Sequence, residues 1–303
     1  MRTRTPSEPA ACAGIEFGGT KILCRIVADD GRVLAAGRFA TATPAQAIED
    51  VSACLNAALA RHRLRALGVA SFGPIVLDAK SARYGQLLAT PKAGWSGFDV
   101  RGELLRRFPV PLVIDTDVNA AALAEQAGGA ARGLPCVAYV TVGTGVGGGL
   151  ALEGRTLKGA LHPEIGHMRL RRRAHDRHVS TCPFHEDCAE GLASGPAVAR
   201  RLTPGRTLAE DPEVLALVAD YLGDLAANLV LAWSPHRIVL GGGVMGVPGL
   251  IGTMRASLRA ALNDYGAALL SDPDYLAPAA LPDAGLEGAL LLARAAARPA
   301  AAS

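Results

Sequence analysis

Three places in the chain repeat one pattern, a short apolar run that breaks at glycines. They are Gly18-Gly19-Thr20-Lys21 after the run that opens at Gly14, Gly143 to Gly149 after Cys136–Val142, and Gly241-Gly242-Gly243 after Arg237–Leu240. Glycine lets the backbone take positive φ and lets a ligand reach the main chain. Consecutive exposed N–H groups form a concave site for anions such as phosphate oxygens. Thr20 and Thr144 add hydroxyl donors, and Lys21 adds charge. One such loop alone reads as a tight turn. Three in one chain, each directly after a strand, point to nucleotide phosphates held between two domains. The P-loop and the dinucleotide fingerprint are both missing in good form.

The chain has 303 residues, enough for two domains of roughly 100–200 residues each. Glycine, at 35 residues, exceeds the usual ~7% share. Lys plus Arg number 31 and Asp plus Glu 28, a net charge of +3, which lacks the basic excess of a nucleic-acid protein. No unbroken run of 18 apolar residues occurs, so no membrane span is expected. Residues 1–10 are polar and carry no signal-peptide core, so a cytoplasmic location is expected.

Along the chain, residues 1–13 read as a loose tail. Apolar runs around Asp29-Asp30-Gly31 read as a hairpin. Thr43-Pro44 opens a helix over 44–64 with Ile48, Val51, Leu55 and Leu59 at helical spacing. Strands follow near Leu67 and at Val110–Ile114, the latter running through Asp115-Thr116-Asp117 into an Ala-rich helix ending near Gln126. A polar loop spans roughly 154–190, and helices follow at about 194–202 and 211–232. Alternating strands and helices define an α/β class. Asp115 and Asp117 stand where a helix needs an N-cap, and also where a strand end presents a carboxylate for proton transfer; local sequence leaves both roles open.

The six cysteines, at 12, 24, 54, 136, 182 and 188, make a poor disulfide framework without a secretion signal. Cys182, His185 and Cys188 are spaced three apart, with His167 fifteen residues upstream. Two thiolates and two imidazoles compose a closed tetrahedral zinc set, against the alternative of surface side chains and a buried thiol. The other four cysteines read as small core or surface residues. Arg169 and Arg171-Arg172-Arg173 read as a solvated loop. Trp95 reads as an apolar face for a ligand, and Trp233 as packing at a helix end.

Phe17-Gly18-Gly19-Thr20-Lys21, Asp117-Val118-Asn119, Gly143-Thr144-Gly145-Val146-Gly147 and Leu240-Gly241-Gly242-Gly243-Val244 together resemble the ROK family of sugar kinases and repressors, from about Gly14 to Leu292. Within it, Tyr84 to Trp95, with Thr90-Pro91-Lys92, and Cys182 to Gly195 resemble the bacterial fructokinase branch. The resemblance implies the actin-like, ribonuclease-H-like ATPase fold, with two α/β domains and a cleft between them. The small domain would span 14–118 and recruit a C-terminal helix at 286–303; the large one would span 119–285 and carry the zinc loop.

The resemblance further implies an ATP-dependent hexose kinase making fructose 6-phosphate, with other hexoses as the alternative. Asp117 would be the general base, and Asn119, Glu164, His167 and Glu190 would contact the sugar. Gly18, Gly19, Thr20, Lys21, Gly143, Thr144 and Gly145 would hold phosphates, and Gly241, Gly242 and Gly243 the adenosine. His167, Cys182, His185 and Cys188 would hold a structural Zn²⁺ distinct from the Mg²⁺ on ATP, and the protein would be a homodimer. Thr116 stands where the family commonly has Asn, Lys92 where glucose-specific relatives have Asn, and Glu16 where an Asp is common. A sugar-responsive repressor of this family would need a DNA-binding segment ahead of Gly14, where only 13 residues stand.

Overall fold

The computed structural model describes residues 10–263, 265–266 and 270–298. Contacts divide the chain into two units, one of residues 1–124, 158–162 and 283–303, the other of 125–157 and 163–282. The first boundary therefore falls after 124 rather than 118. A short segment, 158–162, returns to the first unit out of the long loop.

The first unit is built on a five-stranded sheet of β1 (Ala10–Phe17), β2 (Lys21–Ala28), β3 (Val33–Ala40), β4 (Arg63–Ser71) and β5 (Leu112–Thr116), in the order β3-β2-β1-β4-β5. β1 pairs antiparallel with β2 and parallel with β4, and β4 pairs parallel with β5. The expected tail overlaps this sheet: Ala10–Ala13 belong to β1, and residues 1–9 lie outside the described residues. The Ala-Ala-Cys-Ala run looked featureless because its side chains are small; Ala11 and Ala13 are fully buried.

Helix α1 (Pro44–Leu59) starts where Thr43 Oγ1 accepts from Gln46 N, with proline at its first turn, and buries Ile48, Val51 and Leu55 against the sheet. α2 (Val100–Arg107), which no sequence signal announced, is capped by Asp99 at 2.8 Å from Gly102 N. α8 (Ala284–Ala296) packs on β1 and β4 at the opposite end of the chain. Two strand glycines let it approach: a Cβ on Gly68 would lie 1.8 Å from Ala289 O, and one on Gly14 would lie 2.8 Å from Leu290 Cγ. Trp95 is 1% exposed, edge-on to Phe17, Phe72 and Phe98, and donates to Ala42 O at 2.9 Å. It is a core residue, not the ligand-facing one the sequence suggested.

The second unit repeats the layout with other strands: β6 (Cys136–Val142), β7 (Val146–Leu152), β8 (Arg155–Thr156), β9 (Arg237–Gly241) and β10 (Leu276–Pro278), ordered β10-β9-β6-β7-β8. Here too the first strand pairs antiparallel with the second and parallel with the fourth. The glycine turns β1–β2 and β6–β7 thus occupy the same place in two copies of one topology.

α3 (Asp117–Gly128) leaves β5, and α4 (Ala189–Ala193) and α5 (Gly195–Ala199) follow the long loop. α6 (Pro212–Trp233), capped by Asp211 at 3.1 Å from Val214 N, and α7 (Leu250–Leu262) pack on one another. α6 carries Asp220, Asp224 and Asn228 yet is long and apolar enough to cross a membrane by length and composition, a test that core helices also pass, and it buries Tyr221, Leu222, Leu225 and Leu229 in the second unit's core.

Candidate functional site

In the first unit, the β1–β2 turn is closed by Gly18 N donating to Lys21 O at 3.0 Å and anchored by Thr41 Oγ1 on Gly18 O at 2.8 Å. Gly19 and Thr20 are exposed, leaving their backbone open to a ligand. Lys21 does not face this turn as a free charge: its Nζ lies 3.2 Å from Asp283 Oδ1. A different lysine takes the place. Lys92 Nζ donates to Gly19 O and stands 5.1 Å from the centroid of the Phe72 ring. Sequence reasoning had treated Lys92 only as a departure near the sugar, and the 73-residue separation hid the contact.

Glu16, at the end of β1, carries a buried Oε2 with no hydrogen-bond partner among the described residues. Burial pushes its carboxyl above the usual range, against the pull of Lys21. A Cβ on Gly285 would lie 2.7 Å from Glu16 Cδ, so α8 shapes the pocket around this carboxylate. A desolvated, unsatisfied carboxylate oxygen beside a phosphate-type turn fits a site for Mg²⁺ or for water on it.

The strand-to-helix junction β5–α3 answers which aspartate caps the helix. Neither does. Thr116 Oγ1 accepts from Asn119 N at 3.1 Å, the bond of an N-cap. Asp115 is fully buried and consumed structurally: Oδ1 accepts from Asn119 Nδ2 and from Thr116 N, both at 2.8 Å, and Oδ2 pairs with Lys158 Nζ at 2.8 Å. Asp117 is half-buried, and its Oδ1 accepts from Val118 N at 2.9 Å. Asn119 is fully buried, its amide oriented by Asp115.

In the second unit, the β6–β7 turn is closed by Gly143 N on Gly145 O at 2.9 Å, with Thr144 at its tip. Gly195 N, opening α5, donates to Gly143 O at 2.7 Å. The turn after β9 lies against the same place. Gly242 has φ +87°, and a Cβ there would meet Val142 O at 2.3 Å, while Gly243 is open on the side where a Cβ would stand. Glu190, in the first turn of α4, accepts from Val146 N at 3.1 Å, so its carboxylate braces the glycine turn. Glu164 is exposed and precedes a short 3-10 turn, Ile165–His167.

That turn delivers His167 to the cysteines. His167 Nδ1 lies 3.7 Å from Cys182 Sγ and 3.9 Å from Cys188 Sγ, and Cys182 Sγ lies 3.8 Å from His185 Nδ1. The four donor atoms all fall within 4.8 Å of one another. A tetrahedron with Zn–S of ~2.3 Å and Zn–N of ~2.1 Å has S···N edges of about 3.6 Å, so the donor set fits zinc in both chemistry and spacing. Backbone N–H groups of Phe184 and Gly191 point at the two sulfurs, at 3.5 and 3.4 Å, as thiolates require. Cys188 also caps α4, which ties the cluster to Glu190 two residues on.

The arginine run is not simply solvated. Arg173 pairs with Asp224 at 2.8 Å and Asp220 at 3.4 Å on α6, Arg172 Nη1 reaches His178 O at 2.7 Å, and Arg169 pairs with Asp187. Arg173 ties the loop that carries the Cys/His cluster to α6, while Arg172 and Arg169 bond within the loop.

The family model for the ROK family matches residues 12–296. The chain belongs to the ROK family. It is 40% identical over 284 residues to a fructokinase of Pediococcus pentosaceus, covering 93% of this chain and 97% of that one. It is 39% identical over 295 residues to a putative fructokinase of Bacillus subtilis (strain 168), covering 96% and 97%. The ROK hexokinase from Thermus thermophilus superposes with TM-score 0.77 at 30% identity, covering 94% of this chain and 98% of that one. A ROK glucokinase from Streptomyces griseus, solved in complex with glucose and AMPPNP, gives TM-score 0.70 at 26% identity over 94% and 100%. The two sheets thus belong to a ROK sugar kinase of actin-like fold.

Proposed function

We propose that the protein is an ATP-dependent fructokinase, transferring the γ-phosphoryl group to the 6-hydroxyl of D-fructose. The observation that carries this reading is identity near 40% to curated fructokinases over more than nine-tenths of the chain, with Asp117 and both phosphate-type turns intact. Bound ATP supplies the phosphoryl group, and Mg²⁺ offsets the charge of its phosphates.

The chain's own residues do the rest by position and charge. Asp117 accepts the hydroxyl proton. The N–H groups of the Gly18-Gly19 and Gly143–Gly145 turns, with the Thr20 and Thr144 hydroxyls, hold phosphate oxygens. Lys92 supplies positive charge at the Gly19 turn, the part the sequence had given to Lys21. Glu16 supports the Mg²⁺ shell, and the Gly241–Gly243 turn contacts the adenosine. Asn119, oriented by Asp115, and Glu164, His167 and Glu190 accept or donate to sugar hydroxyls.

His167, Cys182, His185 and Cys188 hold a structural zinc, whose part is to fix the loop carrying His167 and Glu190. A cytoplasmic homodimer belongs to this reading on the family resemblance alone. The decisive experiment is a coupled ADP-release assay over fructose, mannose, glucose and N-acetylhexosamines. Fructose should give the highest kcat/KM; turnover with none of them overturns the kinase reading, and preference for another hexose overturns the substrate.

A further inference from the structure

Two of the cysteines outside the Cys/His cluster meet on the face of the first sheet that α1 covers. Cys24 lies in β2, 1% exposed, and its cross-strand partner in β3 is Gly37. Residues paired across antiparallel strands point to the same side of a sheet, so a side chain at position 37 would stand beside the Cys24 thiol. That place is shared by the Phe39 ring and Cys54 of α1. A Cβ added to Gly37 would lie 2.5 Å from Phe39 Cζ and 3.2 Å from Cys54 Sγ, and the Cys24 and Cys54 thiols shift one another's titration as close neighbours do. The glycine at position 37 leaves room for both the Phe39 ring and the Cys54 sulfur on this face.

The pair is reachable from outside. Cys54 is half-buried and lines a surface depression of about 310 Å³ whose walls are Ala35, Ala36, Gly37, Ala53 and Ala57 with the Phe39 ring as the one bulky member. Asp50 also lines the depression, with Gln46 donating to its carboxylate at 2.8 Å. A carboxylate at the mouth disfavours anionic reagents and leaves small neutral ones unhindered.

We propose that Cys54 and Cys24 form a reversible dithiol–disulfide site, with Cys54 the attacking thiol, Cys24 the resolving one, and hydrogen peroxide the oxidant. The Cys54 thiolate attacks one peroxide oxygen; the O–O bond breaks, Cys54 becomes a sulfenic acid, and the departing hydroxide takes the thiol's proton as water. The Cys24 sulfur then attacks Cys54 Sγ; the S–S bond forms, the S–O bond breaks, and the hydroxide leaves as water with the Cys24 proton. Two thiols are oxidised and one peroxide is reduced to two waters. The neighbouring Cys24 thiol holds Cys54 below the usual thiol range, which favours the nucleophilic thiolate, while the same proximity and burial push Cys24 up. The product would fasten α1 to β2.

The test is peroxide titration of the full-length, metal-loaded protein, read by intact mass and peptide mapping. The expected result is a loss of two hydrogens mapping to a Cys24–Cys54 linkage, reversed by dithiothreitol. Cys24→Ser should stop at a Cys54 sulfenic acid trapped by dimedone, and Cys54→Ser should abolish the linkage. Circular dichroism and melting of both variants establish that they are folded. On unmodified protein, iodoacetamide should label Cys54 at least tenfold faster than Cys12 or Cys136. Comparable labelling rates, or oxidation at other cysteines with no Cys24–Cys54 linkage, would overturn the proposal.

Discussion

Thr116 caps the helix that Asp117 begins, its Oγ1 accepting from Asn119 N at 3.1 Å. The Asp117 carboxylate accepts from Val118 N at 2.9 Å, a bond that the side-chain oxygen of asparagine can also accept. Asp117→Asn should therefore leave the melting temperature nearly unchanged and lower kcat by about 10²–10⁴-fold, the usual worth of a general base. A coupled assay beside a thermal melt separates the two effects. Thr116→Ala should do the reverse, costing about 1 kcal/mol of stability.

Lys92 and Lys21 divide unevenly. Lys92 reaches the Gly19 turn, whereas Lys21 is engaged by Asp283. Lys92→Met should reduce kcat by about 10–100-fold with little change in the KM for fructose, and Lys92→Arg should recover part of it. Lys21→Met should cost less. Equal losses in the two methionine variants would remove the special role given to Lys92.

Zinc in the Cys/His cluster predicts one metal ion per chain by elemental analysis. Stripping it with a strong chelator should raise the KM for the sugar and increase protease cleavage between 168 and 188, with recovery on adding Zn²⁺. Protein that purifies without zinc and turns over normally would refute the assignment.

Asp176 gives a pH prediction. Burial alone would push its carboxyl up, but hydrogen bonds from Arg201 and Tyr221, both at 2.7 Å, outweigh it and hold the group down to about 2. A depressed folded-state pKa stabilises above the unfolded value of ~3.9, and that stability is lost as pH falls toward 2. Wild type should exceed Asp176→Asn in stability by about 2 kcal/mol or more at pH 6, because the variant leaves Arg201 buried without its partner. The gap should narrow between pH 4 and pH 2. A gap independent of pH across that window would contradict the assignment.

What was legible in the sequence was whatever depends on residue type at short range. Glycines at strand ends announced the turns, Thr43-Pro44 announced α1, and three-residue spacing announced Cys182, His185 and Cys188. Pairings across long separations were not legible. Lys158 neutralises Asp115 from 43 residues away, and Lys21 meets Asp283 from 262 residues away. No local pattern distinguishes a lysine with a distant carboxylate from one in water. Arg173 is the same case, since its partners Asp220 and Asp224 lie on another element. Strand β1 began early because small apolar side chains read alike in a tail and under a helix.

The position of α8 bears on how the chain is made. Its Leu286, Ala289 and Leu290 pack on strands that are synthesised more than two hundred residues earlier. A nascent chain that has reached Pro282 holds every residue of the second unit, while the first unit's sheet still has Gly14 and Gly68 bare where the helix belongs. Synthesis order and completion order are thus inverted: the amino-terminal unit is the last to close, and until then its sheet is open to chaperones or to the wrong helix.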